Sequence, residues 1–193
     1  MSKMKIYRAL KTNQLSATFY STGQIWTNFG LKTHGGMDWS CYFREPIFFD
    51  CDKTGEVIGM QLDRNLGLGI EILTEDESGV FKHRFWHFDE LKVAVGQKVE
   101  SGTLLGYGDS TGYSTGNHLH RDLKPQTRTN GILTNTLQSN GTYGATDPMP
   151  YFSNIYIKDY IATQQTQIGL LKQIVSLYQK IIELMKMKIT LQK

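Results

Sequence analysis

The chain has 193 residues, 39% of them hydrophobic and 20% charged, with a formal net charge of +3 at pH 7. That length suits one globular domain with a small appendage, and so slight a charge gives no reason to expect a nucleic-acid partner. Nineteen glycines, together with Thr, Tyr and Val positions near turns, indicate a β-rich fold, and two cysteines, Cys41 and Cys51, are too few for a disulfide-stapled one. Bridged or reduced, two cysteines do not fix a compartment.

In chain order, the segment Met1 to Lys11 lacks the continuous apolar core of a secretory signal, and no stretch approaches the roughly 20 apolar residues of a membrane-spanning helix. Strand candidates are Lys5–Leu10, Glu56–Leu62, Gly69–Leu73, Val80–Phe88, Leu104–Tyr107 and Asn117–Leu123, separated by Gly, Asn, Asp and Ser. They predict an antiparallel β-sheet with an open groove. Four of the five histidines fall in three short patches: His34-Gly-Gly-Met-Asp38, Trp86-His87 and Asn117-His118-Leu-His120.

In the first patch Gly35 and Gly36 each cost about 1 kcal/mol against a helix, so an extended segment is expected, and its even spacing leaves His34 and Asp38 on one side. Around the second, alternation puts His83, Phe85 and His87 on one strand face; His87 is followed by apolar Phe88, and His83 reads as a flanking residue. In the third, alternation sends His118, His120 and Asp122 to one face and Leu119 to the other, with the two imidazoles about 7 Å apart along the strand. One imidazole can then sit on a metal and the other reach a substrate beside it. Two imidazole nitrogens and a carboxylate oxygen, with a fourth position for water, are the donor set of a catalytic zinc site, whereas closed structural sites commonly use cysteines.

Further motifs join these patches. The chain reads, in order, His34-Gly-Gly-Met-Asp38, Phe85-Trp86-His87-Phe88, Val93-Ala-Val-Gly-Gln-Lys-Val-Glu-Ser-Gly-Thr-Leu-Leu-Gly106, Ser110-Thr-Gly-Tyr-Ser-Thr-Gly116 and His118-Leu119-His120. This ordered set resembles the lysostaphin-type (LytM-like) zinc metallopeptidases, which cut peptidoglycan peptides. Ile25 to Gly30 looks like the family's opening strand and Asp147 to Phe152 like its closing segment, so the likeness spans roughly residues 24 to 152.

The resemblance implies that His34, Asp38 and His120 bind Zn2+ and that His87 and His118 are unligated catalytic histidines. One would accept a proton from zinc-activated water, and the other would stabilise the oxyanion or protonate the leaving amine; the resemblance does not say which. Where the family usually has an aromatic residue and a glutamate after the last ligand, this chain has Arg121 and Asp122, so the surroundings of the metal are expected to differ. The implied function is a zinc metalloendopeptidase acting on cross-links or stem peptides of bacterial peptidoglycan. With no signal visible, it is expected to be made in the cytoplasm and to reach the wall as a holin-released bacteriophage lysin or a virion component, unless a signal has been removed.

Two other readings are weaker. The segment Val95 to Leu105 resembles half of a biotinyl or lipoyl domain, but the modifiable lysine at a hairpin tip is missing. A catalytically idle scaffold working through its C-terminal helix is the alternative function, and relatives of that kind typically lose ligands, whereas all five positions are present here.

Pro125 to Thr146, rich in Thr, Asn and Gly, is expected to be a long loop forming a groove wall. From Ser153 onward the period changes. Ile161, Ile168, Leu171, Val175, Tyr178, Ile182, Met185 and Ile189 follow alternating steps of three and four with Gln164 as the polar interruption, and Leu170, Ile174, Leu177, Ile181, Leu184 and Leu191 form a second row. The expected organisation is a metallopeptidase domain over residues 1–152 and an amphipathic heptad helix over residues 153–193. Six lysines against Asp159 and Glu183 make this tail +4, leaving −1 for the rest of the +3 chain. Such a helix needs a copy of itself, a partner helix along residues 157–191, or an anionic membrane surface.

Overall fold

Short punctuated runs of β-branched and aromatic residues become strands in the computed structural model of the chain, which describes residues 3–138 and 140–191 and, within the last helix, side chains up to residue 187. The strands are β1 Ile6–Arg8, β2 Leu15–Ala17, β3 Met37–Ser40, β4 Pro46–Phe48, β5 Gly55–Asp63, β6 Gly67–Asp76, β7 Gly79–Leu91, β8 Lys98–Val99, β9 Leu104–Gly108, β10 His118–Thr129, β11 Ile132–Asn135 and β12 Phe152–Tyr156; the helices are α1 Gln24–Thr27 and α2 Ile157–Leu191. The main sheet runs β2-β3-β10-β7-β6-β5-β8, with β11 on β10 and β9 joining β7 to β4. All its pairings are antiparallel, and β1 and β12 form a separate parallel pair. The fold is mainly antiparallel β with one long C-terminal helix.

Alternation along β10 divides two chemistries. Leu119 and Leu123 point into a core with Phe49, Ile70, Ile72, Phe85 and Leu105, all fully buried, each contributing about 1.5–3 kcal/mol by leaving water. Arg121 shares that inward parity. Its guanidinium donates to both carboxylate oxygens of Asp50, at 2.8 and 3.1 Å, and to His83 Nδ1 at 2.7 Å. A guanidinium only donates, so His83 carries its proton on Nε2 and gives it to the Thr74 hydroxyl, 2.9 Å away. Burial, and then the charge of Arg121, push the His83 pKa well below its usual value. His83 therefore belongs to a neutral, satisfied contact inside the core.

Three segments differ from the sequence expectation. Pro125–Thr146 is not one long loop: β10 continues to Thr129, turns at Asn130 and Gly131 with φ of 51° and 81°, and returns as β11. Asn-Gly with both φ positive is the preferred two-residue hairpin turn, and it outweighs the polar composition of the flanks. Ile25–Gly30 is not a strand. One helical turn forms instead, closed by Asn28 N–H to Gln24 O at 3.0 Å and by the Thr27 hydroxyl to the same oxygen at 3.0 Å. Finally, Phe152–Tyr156 is a strand beside β1, and the chain divides into compact units Met1–Ile157 and Lys158–Lys193. Cys41 and Cys51 are both free, and burial lifts each thiol to about 12.

The Arg121–Asp50 pair makes a stability prediction. Asp50→Ala leaves a buried guanidinium without its anion and should lower the unfolding free energy by about 3–5 kcal/mol in urea titrations followed by circular dichroism; an unchanged midpoint would contradict the pairing.

Candidate metal centre

Pairing of β3 with β10 sets Asp38 opposite His120 and Ser40 opposite His118. His34 lies just before β3, its backbone tied on both sides by His34 N–H to Ser21 O at 2.8 Å and Tyr20 N–H to His34 O at 3.1 Å. Its Nδ1 stands 2.9 Å from the Thr18 carbonyl oxygen. A carbonyl only accepts, so Nδ1 holds the proton and Nε2 offers a lone pair.

That Nε2 lies 3.0 Å from His120 Nδ1 and 3.2 Å from Asp38 Oδ1, and the last two atoms are 2.8 Å apart. Zinc bonds of about 2.0–2.1 Å in a tetrahedron give ligand separations of about 3.3 Å. The three donors fit that triangle with a contraction of a few tenths of an ångström, and among the described residues they form the group able to hold a metal ion. Gly36 allows the fit: a Cβ there would come 2.7 Å from His120 Cε1 and 2.7 Å from Arg121 O.

The electrostatics also favour a cation. His120 Nε2 faces Asp122 Oδ2 at 3.4 Å, and Arg84 grips Asp122 through Nε at 2.9 and 3.0 Å and Nη2 at 2.6 Å. This is the carboxylate–histidine arrangement that orients a metal-binding imidazole. Burial alone would raise Asp38 and Asp122, yet His120 and His34 hold Asp38, and Arg84 and His120 hold Asp122, below the usual carboxylate range. Burial opposes a charge on His120 too, but the bonds to Asp122 and Asp38 overcome it and lift the pKa to about 9.

His87 reaches the groove by an irregularity. Simple alternation would turn it inward with His83 and Phe85. Instead Leu68 and Ile70 of β6 pair with Phe88 and Phe85 of β7, so three steps on β7 meet two on β6, and His87 takes φ of 68°. This bulge re-aims the ring. Its Nδ1 is 2.7 Å from Thr111 O, and His118 Nδ1 is 2.8 Å from Gly116 O. In its neutral form each ring spends its proton on a backbone carbonyl of one loop and keeps Nε2 as an acceptor. The rings are 4.4 Å apart between centroids, and His118 Nε2 is 3.9 Å from Asp38 Oδ1. Burial first, then the neighbouring His118, pull the His87 pKa down to about 4.

The structure therefore gathers His34, Asp38, His87, His118 and His120 in one groove of about 780 Å³ and leaves His83 outside it. Trp26, Phe29 and the post-β11 residues Thr142 and Tyr143 line the groove, as do Asn65 and Tyr113. Sequence reading missed Arg84 as the partner of Asp122. Parity offered a signal, since both residues sit on the polar face of adjacent strands; the carbonyls of Thr111 and Gly116 left none.

A pH dependence follows from His87. The fold favours its neutral form, so the unfolded chain takes up a proton first, near pH 6.5, and stability present above that value is lost as pH falls toward 4. At about 1.4 kcal/mol per pKa unit the loss is about 3 kcal/mol. Asn accepts positive φ and can donate to Thr111 O, so His87→Asn should show a shallower fall in thermal midpoint between pH 6.5 and 4 than the parent. Parallel curves would contradict the burial of a neutral imidazole.

Residues 32–131, just over half of the chain, match peptidase family M23. Glycyl-glycine endopeptidase ALE-1 of Staphylococcus capitis is 37% identical over 90 residues, 47% of this chain and 22% of that protein. Lysostaphin of Staphylococcus simulans is 33% identical over 137 residues, 70% of this chain and 25% of that protein. The chain thus spans about a quarter of the length of the curated relatives it matches. In structure, the lysostaphin catalytic domain aligns with TM-score 0.54 and 22% identity over 72% of this chain and 90% of that one. A zinc-containing peptidase from Vibrio cholerae aligns with TM-score 0.56 and 22% identity over 77% of this chain and 40% of that one. These alignments share the antiparallel sheet described above, and the sequence match carries the assignment: the chain belongs to peptidase family M23.

Proposed function

We propose that this chain is a zinc metalloendopeptidase that hydrolyses peptide bonds of bacterial peptidoglycan, with its site of action at the cell wall. The observation carrying the proposal is the triangle of His34 Nε2, Asp38 Oδ1 and His120 Nδ1 beside two histidines, His87 and His118, that each commit Nδ1 to a backbone carbonyl and lie 4.4 Å apart between ring centroids. Zinc bound by that triangle supplies Lewis acidity for a scissile carbonyl and lowers the pKa of water toward about 7. The names of the relatives support the reading: ALE-1 is a glycyl-glycine endopeptidase, and ShyB of Vibrio cholerae, 30% identical over 95 residues, is a peptidoglycan DD-endopeptidase.

The chain's own residues handle the protons. Either His87 or His118, neutral with Nε2 bare, takes the proton of the attacking water, and the other donates to the developing oxyanion or the leaving amine in the form that carries a second proton on Nε2. With their centroids 4.4 Å apart, a charge on one ring disfavours a charge on the other. One proton therefore serves the pair. Asp122 and Arg84 hold His120, while Thr18 holds His34, so both imidazoles are already oriented for the metal.

Helix α2 carries the second part of the proposal. Ile168, Leu171, Val175, Tyr178, Ile182 and Met185 are all exposed along the described helix, as are Leu170, Ile174, Leu177, Ile181 and Leu184 of the second row; the side chains of Ile189 and Leu191 lie outside the described residues. Over its described residues the helix is not apolar enough to cross a membrane. Its three-four spacing is that of a coiled-coil seam, and the proposed occupant of that seam is a second copy of α2.

Elemental analysis should find one zinc per chain, largely lost in His34→Ala, Asp38→Ala and His120→Ala. Zinc should persist in His87→Ala and His118→Ala, whose peptide hydrolysis drops by at least about 100-fold; full zinc in His120→Ala, or near-normal turnover in either catalytic variant, would refute the assignment. For α2, the full chain should sediment as an oligomer, and a chain ending at Ile157 should be monomeric yet cleave soluble peptides. A full chain that stays monomeric and binds anionic vesicles in a salt-sensitive way would replace self-association with membrane docking.

A further inference from the structure

The turn joining β5 to β6 and the loop joining β9 to β10 are locked together. Leu68 N–H donates to Thr111 Oγ1 at 3.1 Å, and Tyr113 N–H donates to Asn65 O at 2.7 Å. Between these bonds two glycines meet. A Cβ on Gly67 would lie 2.3 Å from Thr111 O and one on Gly112 2.3 Å from Gly67 N, and their φ values are 70° and 80°. The turn is stiffened from within, because Asp63 Oδ1 accepts from Asn65 N–H at 2.7 Å and Leu66 N–H at 2.8 Å.

Thr111 is the junction of this lock with β7. Its hydroxyl donates to Phe88 O at 2.8 Å while accepting from Leu68, and its carbonyl takes the Nδ1 proton of His87 at 2.7 Å. His87 is held from its other side by Asp109 N–H to His87 O at 2.8 Å. A histidine at φ of 68° sits in a conformation costing about 1–2 kcal/mol, and it persists only where its surroundings over-determine it. In the neutral imidazole one nitrogen carries the proton and the other accepts, so a proton held on Nδ1 leaves Nε2 the acceptor.

We propose that Thr111, backed by the Asp63–Gly67 turn across the groove, is a positioning residue that holds His87 in the Nδ1–H tautomer with Nε2 bare toward the metal centre. It rests on the catalytic reading of His87 given above, and its test separates the two. Thr111→Val keeps the shape but removes both hydroxyl bonds; Thr111→Ser restores them.

In the full-length zinc-loaded protein, long-range proton–nitrogen correlation spectra of the histidine rings at neutral pH report the tautomer directly, alongside kcat and KM on a soluble peptide. The parent and Thr111→Ser should show a single Nδ1–H tautomer at His87. Thr111→Val should show a mixture, with kcat lower by about 10-fold, the lower end for an orienting partner, KM within about twofold and zinc content unchanged. An unaltered His87 tautomer in Thr111→Val would overturn the proposal whatever its activity. A tautomer that shifts as expected in a protein without peptidase activity would uphold the positioning and reject the function. If Thr111→Val does not fold, Asp63→Ala loosens the same turn without touching Thr111 and should shift the tautomer in the same direction; a folded Asp63→Ala with the parent tautomer would likewise overturn the proposal.

Discussion

Asp38 and His120 are neighbours because β3 and β10 pair antiparallel in one register, and the rest of the site depends on that ladder. A slip of a single residue would exchange the two faces of β10, sending His118, His120 and Asp122 into the core and Leu119, Arg121 and Leu123 into the groove. Apolar burial at Leu119 and Leu123 already opposes the slip. The Arg121–Asp50–His83 contacts make it more costly still, since a misregistered strand would leave buried charges without partners. Polar residues in the core thus guard a polar site on the opposite face.

On the groove side, each imidazole is fixed by the nitrogen it does not present. His34 is held by Thr18 O, His120 by Asp122, His87 by Thr111 O and His118 by Gly116 O. Three of these four partners are backbone carbonyls, so the geometry is as rigid as the loops that carry them. The fourth is a carboxylate whose charge is balanced by Arg84, itself on β7 directly across from Asp122. The shorter Asp122 therefore still reaches the imidazole, with Arg84 completing the contact.

Much of this was legible in the chain. Punctuated strand runs located β5, β6, β7, β9 and β10 to within a few residues at their starts, and the three-four periodicity marked α2. Residue type and even spacing singled out His34, Asp38, His118 and His120. The pattern misled where local geometry breaks a period: alternation puts His87 beside His83, and only the bulge separates them. Ile25-Trp26-Thr27 has strand-forming side chains, yet short-range hydrogen bonds from Thr27 and Asn28 close a helical turn. Asn130-Gly131 was a readable hairpin signal lost among polar neighbours. Backbone acceptors such as Thr111 O carry no side-chain signature, and no sequence pattern announces them.

Diffraction data collected on either side of the zinc absorption edge, from crystals grown with one equivalent of zinc, test the central claim most directly. The account predicts an anomalous peak about 2.0–2.1 Å from each of His34 Nε2, Asp38 Oδ1 and His120 Nδ1, with His87 and His118 beyond bonding distance. No peak in that triangle, or a metal ligated by His118 or His87 in place of His120, would contradict it.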